Sequence, residues 1–244
     1  MTKPTPEQVL NRIQEHLSTA LKKGIIKLSL SGDDGREDSK KNERKITETL
    51  ALQFEADKFF AKNNLSFRPS PPRFWYDFLV ESEDKSLWLP VNVKISGFSG
   101  SDNLSSKEGL FYAMTGVDPK NVPHPEKPTK KISINAWEPY CEAMAHHFGA
   151  NKAADYYFLV IDKTDIGHVF WTSLRCMSEL IPNGNNLPYQ ANWGRNTKRT
   201  NRSWQESARF LMSIFREALV LRARVLDQFD ETIWKQLQDN TGTK

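Results

Sequence analysis

The segment PPRFWYDFLVESEDKSLWLPVNVKISG, from Pro71 to Gly97, leaves the chain few ways to fold. Phe74, Trp75, Tyr76, Phe78, Leu79 and Val80 form one aromatic and β-branched run; Leu87, Trp88, Leu89, Val91, Val93 and Ile95 form a second. The polar residues Glu81 to Ser86 separate them, so the segment is expected to form two antiparallel strands joined by a turn. Three polar side chains interrupt this background: Asp77, Asn92 and Lys94. Strand side chains alternate between faces, which puts Asn92 and Lys94 on one face, and Asp77 on the paired strand can reach the same face. A carboxylate, an amide oxygen and an ammonium then meet at one point.

The rest of the chain supplies helices for both ends of a sheet. Val9, Ile13, Leu17 and Leu21 recur every four residues, predicting a helix from Pro6 to Lys23 with Thr5 as its cap. Ile25 to Leu30 reads as a short strand, and the polar residues 31–45 as a mobile loop facing solvent or DNA. A helix is expected from Ile46 to Ala61. Phe98 to Asn103 reads as a flexible exit from the hairpin, followed by a short helix from Ser105 to Thr115 and an irregular Pro- and Lys-rich loop from Asp118 to Lys131. Glu138 to Gly149 should be a helix stopped by glycine. Its adjacent His146 and His147 cannot share one face and suit the helix C-terminus better than a metal. Tyr156 to Ile161 is apolar throughout, as in a strand covered on both sides, with His168 to Thr172 as its partner. A short helix from Leu174 to Leu180, a strand from Tyr189 to Trp193 and a long helix from Ser203 to Phe229 follow, and residues 235–244 read as a flexible tail. Strands in the middle and helices at both ends predict an α/β fold, a mixed central sheet flanked by helices, in a single domain over 1–244.

Composition narrows the class. Hydrophobic residues make up 38% and aromatics 11%, which excludes a disordered chain. With 34 Lys and Arg against 30 Asp and Glu, overall charge does not by itself indicate nucleic acid. Cys141 and Cys176 have neither metal-ligand spacing nor a disulfide framework and read as buried thiols of a reducing compartment. The opening residues lack the apolar run of a signal peptide and no segment has the length of a membrane span, so a cytoplasmic protein is expected.

The polar trio matches the needs of phosphodiester hydrolysis. A hard cation such as Mg2+ must bind through oxygens, water must be activated, and developing negative charge must be offset. Asp77 offers a carboxylate, Asn92 an amide oxygen and Val93 its carbonyl. Lys94 can orient or help deprotonate the water and offset charge.

On Tyr76-Asp77 followed by Asn92-Val93-Lys94, the sequence resembles the PD-(D/E)xK nucleases, and among them type II restriction endonucleases. It departs from their pattern twice: Tyr76 stands where proline precedes the acid, and Asn92 stands where a second acid is usual. The loss of one negative charge implies weaker metal binding or a third acid, either Glu48 or Glu81. Tyr189-Gln190-Ala191-Asn192-Trp193, a basic turn and Arg202-Ser203-Trp204 opening a long helix resemble blunt-cutting members of that group. The resemblance implies a restriction-endonuclease-like core. It makes Asp77, Asn92, Lys94 and Glu48 the catalytic group, with Asp77, Asn92 and Val93 on Mg2+. Gln190 and Asn192 would read base edges, since amides pair bidentately with adenine. Arg195, Lys198, Arg199 and Arg202 would hold phosphates or guanines. It further implies a homodimer on a short palindromic site in double-stranded DNA, and a cognate DNA methyltransferase in the same system. Two other readings remain: a repair or nicking nuclease of the same fold, and a DNA-binding protein whose nuclease site has degraded, which Asn92 favours.

Overall fold

In the computed structural model, residues 3–29, 35–72, 74–104, 107–185 and 188–236 are described. The chain opens with α1 (Pro6–Lys22), capped as expected by Thr5, whose hydroxyl accepts the Gln8 N–H while the Gln8 side chain accepts the Thr5 N–H. α2 (Gly35–Ala56) and α3 (Lys58–Lys62) follow. α2 begins inside the stretch expected to be a loop, of which residues 31–34 lie outside the described residues. The single helix expected from Ile46 to Ala61 is in fact two. Asp57 breaks it: its carboxylate accepts the Phe59 N–H at 2.8 Å and binds Arg12 and His16, each at 2.6 Å. No strand forms over Ile25 to Ser29; instead the Asn42 amide grips the Ser29 backbone with paired hydrogen bonds of 2.7 Å. Leu30 lies outside the described residues.

β1 (Leu65–Pro69), β2 (Phe78–Ser82), β3 (Trp88–Ser96), β4 (Ser101–Asn103), α4 (Lys107–Thr115) and α5 (Trp137–His147) come next. They are followed by β5 (Tyr157–Asp162), β6 (Val169–Ser173), β7 (Ile181–Pro182), β8 (Tyr189–Asn192) and α6 (Trp204–Phe229). Five strands form a mixed sheet in the order β1-β2-β3-β5-β6, and β4-β8-β7 form a small second sheet. β2 and β3 are the expected antiparallel pair, with Phe78 opposite Val91, while β3 and β5 run parallel. Both faces of the large sheet are covered. α1, α2 and α3 bury one face through Val9, Ile13, Ile46, Leu50, Val91, Val93, Leu159 and Ile161. α4, α5, α6 and the small sheet bury the other through Leu79, Phe111, Tyr140, Phe158, Val160, Trp193 and Leu211. β5 is buried at every position, as its unbroken apolar run predicts.

Several local expectations are corrected. β2 starts at Phe78, not Phe74. Phe74, Trp75 and Tyr76 all pack toward the α4 side, with Trp75 and Tyr76 ring centroids 4.8 Å apart; three consecutive residues on one side are incompatible with strand alternation. Residues 101–103 form β4 rather than a flexible exit, and the segment after β6 makes only a 3-10 turn, Leu174–Cys176. Cys141 is exposed on α5, not buried. Lys235 and Gln236 continue the C-terminal helix, and the rest of the expected tail lies outside the described residues. No helix among the described residues is long and apolar enough to cross a membrane.

Candidate active site

The register of the central hairpin sets the geometry. Because Phe78 faces Val91, Asp77 sits across from Asn92, one residue before β2 begins. Its backbone N–H donates to the Val91 carbonyl at 2.9 Å. Its carboxylate then takes over the role of a strand carbonyl, as Oδ2 accepts the Val93 N–H at 2.6 Å. A residue's N–H and C=O point to the same lateral side of a strand, so the Val93 carbonyl is directed toward the gap that opens where β2 has not yet started. Alternation turns Val91 and Val93 to the α1–α2 side, where they are buried, and Asn92 and Lys94 to the other. The trio read from the sequence therefore does converge at the leading end of β2.

Burial makes this convergence chemically uneven. Asn92 is buried, and among the described residues its Oδ1 has no hydrogen-bond donor. An amide oxygen left so costs about 1–3 kcal/mol. Burial raises the Asp77 carboxyl above the ordinary carboxylate range, opposed by the Val93 N–H and the Lys94 charge. Burial lowers the Lys94 ammonium, opposed by the charges of Asp77, Asp102 and Glu43. The Lys94 Nζ also points at the Asn103 carbonyl, 3.4 Å away.

Glu43 and Asp102 were not anticipated. Burial, and next the Asp77 charge, push the Glu43 carboxyl up to about 7, against the pull of Lys94 and Lys40. Glu43 lies three residues before Ile46 and seven before Leu50, both buried, and so continues the inward stripe of α2. That spacing was the available signal, obscured by assigning residues 31–45 to a loop. Asp102 is held by the Trp193 indole, whose Nε1 donates to Oδ2 at 2.8 Å.

The other two acids are not at this place. Glu48 is exposed and ion-paired to Arg44 at 2.7 Å, because it lies two residues past Ile46 and so faces away. Glu81 is buried one strand length from Asp77, paired with Arg68 at 3.2 Å and with Lys85.

The expected DNA-reading group divides. Gln190 lies against the site: β4 pairs with β8, and Asn103 Oδ1 accepts from Gln190 Nε2 at 3.1 Å and Asn183 Nδ2 at 2.9 Å. Asn192 caps the turn that follows, its Oδ1 accepting the Arg195 N–H at 3.2 Å. Arg195 is exposed and ion-paired to Glu179 at 2.7 Å, and Lys198 is exposed. Arg199 and Arg202 are engaged within the fold. Arg199 stacks 3.8 Å over Trp171 and pairs with Glu7 at 2.9 Å. Arg202 donates to the Met177 carbonyl at 2.7 Å and lies 4.2 Å over Phe210.

Among the described residues no three His, Cys, Asp or Glu side chains are grouped so as to hold a metal ion. A cation here would rest on the Asp77 carboxylate, the unpartnered Asn92 Oδ1 and the Val93 carbonyl, with Glu43 close enough to feel Asp77. Hard oxygens, an amide oxygen lacking a donor and acids outnumbering the one lysine fit a divalent ion such as Mg2+. No family model matches the chain, and no curated protein matches it in sequence.

Proposed function

We propose that the protein is a Mg2+-dependent endonuclease that hydrolyses phosphodiester bonds of double-stranded DNA at a short palindromic sequence, in the manner of type II restriction enzymes. The observation that carries this reading is the meeting of Asp77, Asn92 and Lys94 at the end of β2, with the Asn92 oxygen buried and lacking a donor. The mixed sheet that holds them is consistent with a restriction-endonuclease-like core.

Asp77, Asn92 and the Val93 carbonyl would hold the ion, which when bound polarises the phosphate and lowers the pKa of a water. Asp77 Oδ2 is kept in place by the Val93 N–H, leaving Oδ1 for a ligand. Lys94, its proton loosened by burial, orients the attacking water and offsets charge building on the phosphate. Glu43 replaces Glu48 as the further acid of this reading; its carboxyl is positioned to take a proton near neutral pH. Gln190 and Asn192 read bases, with Arg195 and Lys198 on phosphates, and a DNA methyltransferase of the same specificity protects the host.

Incubating the protein with unmethylated phage-sized DNA, with Mg2+ or with EDTA, tests the proposal. Discrete Mg2+-dependent bands are expected, and their ends give the recognition sequence. A smear would instead indicate a nuclease without sequence choice. The neutral Asn92 favours one second reading, a DNA-binding protein without catalysis, for which intact but gel-shifted DNA would be the result.

A further inference from the structure

The end of the central hairpin away from Asp77 opens into a cavity of about 670 Å³, a size suited to a small-molecule ligand. Asp77 precedes β2, whereas this cavity lies at the turn that joins β2 to β3. The segment leading into α1, that turn and the loop before β5 form its walls, and Trp88, Tyr112 and Tyr157 supply an aromatic lining. The Trp88 and Tyr112 ring centroids are 4.5 Å apart. Tyr157 is only 6% exposed, and among the described residues no hydrogen bond reaches its hydroxyl. The Tyr112 hydroxyl donates to the Trp88 carbonyl at 3.4 Å, which leaves its lone pairs free. Burial, and next the Asp155 charge, hold both phenols above their ordinary value, so each keeps its proton and offers a neutral oxygen.

We infer that the cavity binds a small aliphatic diamine, with one ammonium at the tyrosine hydroxyls and the other at Glu83. Charge selects the sign of the ligand. Both cations of the lining are already held by carboxylates, Lys3 by Asp84 and Lys85 by Glu81, so an anion would find no free partner. Glu83 also lines the cavity; it is exposed and has no ion-pair partner among the described residues. An ammonium finds in addition aromatic faces, which attract cations, and the unpartnered Tyr157 oxygen, which accepts an N–H. The cavity thus has two acceptor positions, the inner hydroxyls and Glu83 at the rim. That pair fits an amine charged at each end, with its methylene stem along the rings.

The inference does not rest on the nuclease reading. Titration calorimetry of the full chain, without DNA or Mg2+, tests it with putrescine, propylamine and tetramethylammonium. Putrescine is expected to bind saturably at millimolar concentration or below, and more tightly than the other two. Tyr157→Phe removes a hydroxyl that has no partner in the fold, so folding should be spared. It should weaken putrescine and propylamine by about tenfold and leave tetramethylammonium, which has no N–H to donate, unchanged. Glu83→Gln should weaken putrescine by about threefold and spare propylamine. Nα-acetyl-lysine amide, the form in which another protein would present an ammonium, should bind no better than propylamine. Three results would overturn the inference: no saturable heat with putrescine, a putrescine affinity indifferent to either substitution, or tighter binding of the lysine amide. Failure of DNA cleavage leaves these affinities unchanged, so the two proposals fail separately.

Discussion

The two sides of β3 follow opposite rules. Toward α1 and α2, Leu89, Val91 and Val93 join a hydrophobic cluster with Ile46, Leu50, Leu159 and Ile161. Toward α4 and α6, Asn92 and Lys94 enter the interior with an orphaned oxygen and a weakened ammonium. One strand thus carries a side optimised for stability and a side that sacrifices some of it. Residues bound for a ligand should behave this way, because what satisfies them is not part of the chain.

Substitutions can separate the two sides. Lys94→Ala is expected to lower cleavage by about 10³-fold or more while sparing sequence-specific binding and the thermal midpoint. Equal loss of binding would mean that Lys94 is structural. On the other side, Leu159→Ala, at a fully buried position of β5, should cost about 2–5 kcal/mol in denaturant unfolding. Cleavage per folded molecule should be unchanged. Asn92→Asp should keep or raise activity, since it restores the usual acid; a folded but inactive variant would count against metal ligation at this position.

The smallest effect concerns pH. Glu43 titrates at about 7 in the folded chain and near 4.3 when unfolded, so without metal the folded state binds the proton more tightly. Its contribution to stability is complete below pH ~4.3 and is lost as pH rises through 7. Glu43→Gln should flatten this part of the melting profile, and Mg2+ should raise the wild-type midpoint more at pH 8 than at pH 6. Identical slopes in wild type and variant would remove Glu43 from the site.

Much of this was legible from local pattern. The hairpin, the buried β5, the α1 cap and the long α6 follow from periodicities and capping residues that act over a few positions. Asp77, Asn92 and Lys94 stood out because polar groups in apolar strands are costly. Glu43 did not stand out: it sits among charged residues whose helical phase becomes visible only when Ile46 and Leu50 are extended backward. Asp102 was hidden because β4 is formed by pairing with β8, about ninety positions away, a long-range contact that no local spacing announces. The partners of Arg199 and Arg202 within the fold were hidden for the same reason. The charge of these arginines signals an anion, but an aromatic ring and the fold's own carbonyls and carboxylate engage them.

The bond between Val93 N–H and Asp77 Oδ2 makes the last rung of the ladder a side chain rather than backbone. The peptide proton at residue 93 is thereby a built-in sensor. Its chemical shift and its hydrogen-exchange rate register where that carboxylate points and whether it is charged. Spectroscopy on one assigned resonance can therefore follow ion arrival and carboxylate titration in the intact protein, before any phosphodiester bond is cut and without an attached label.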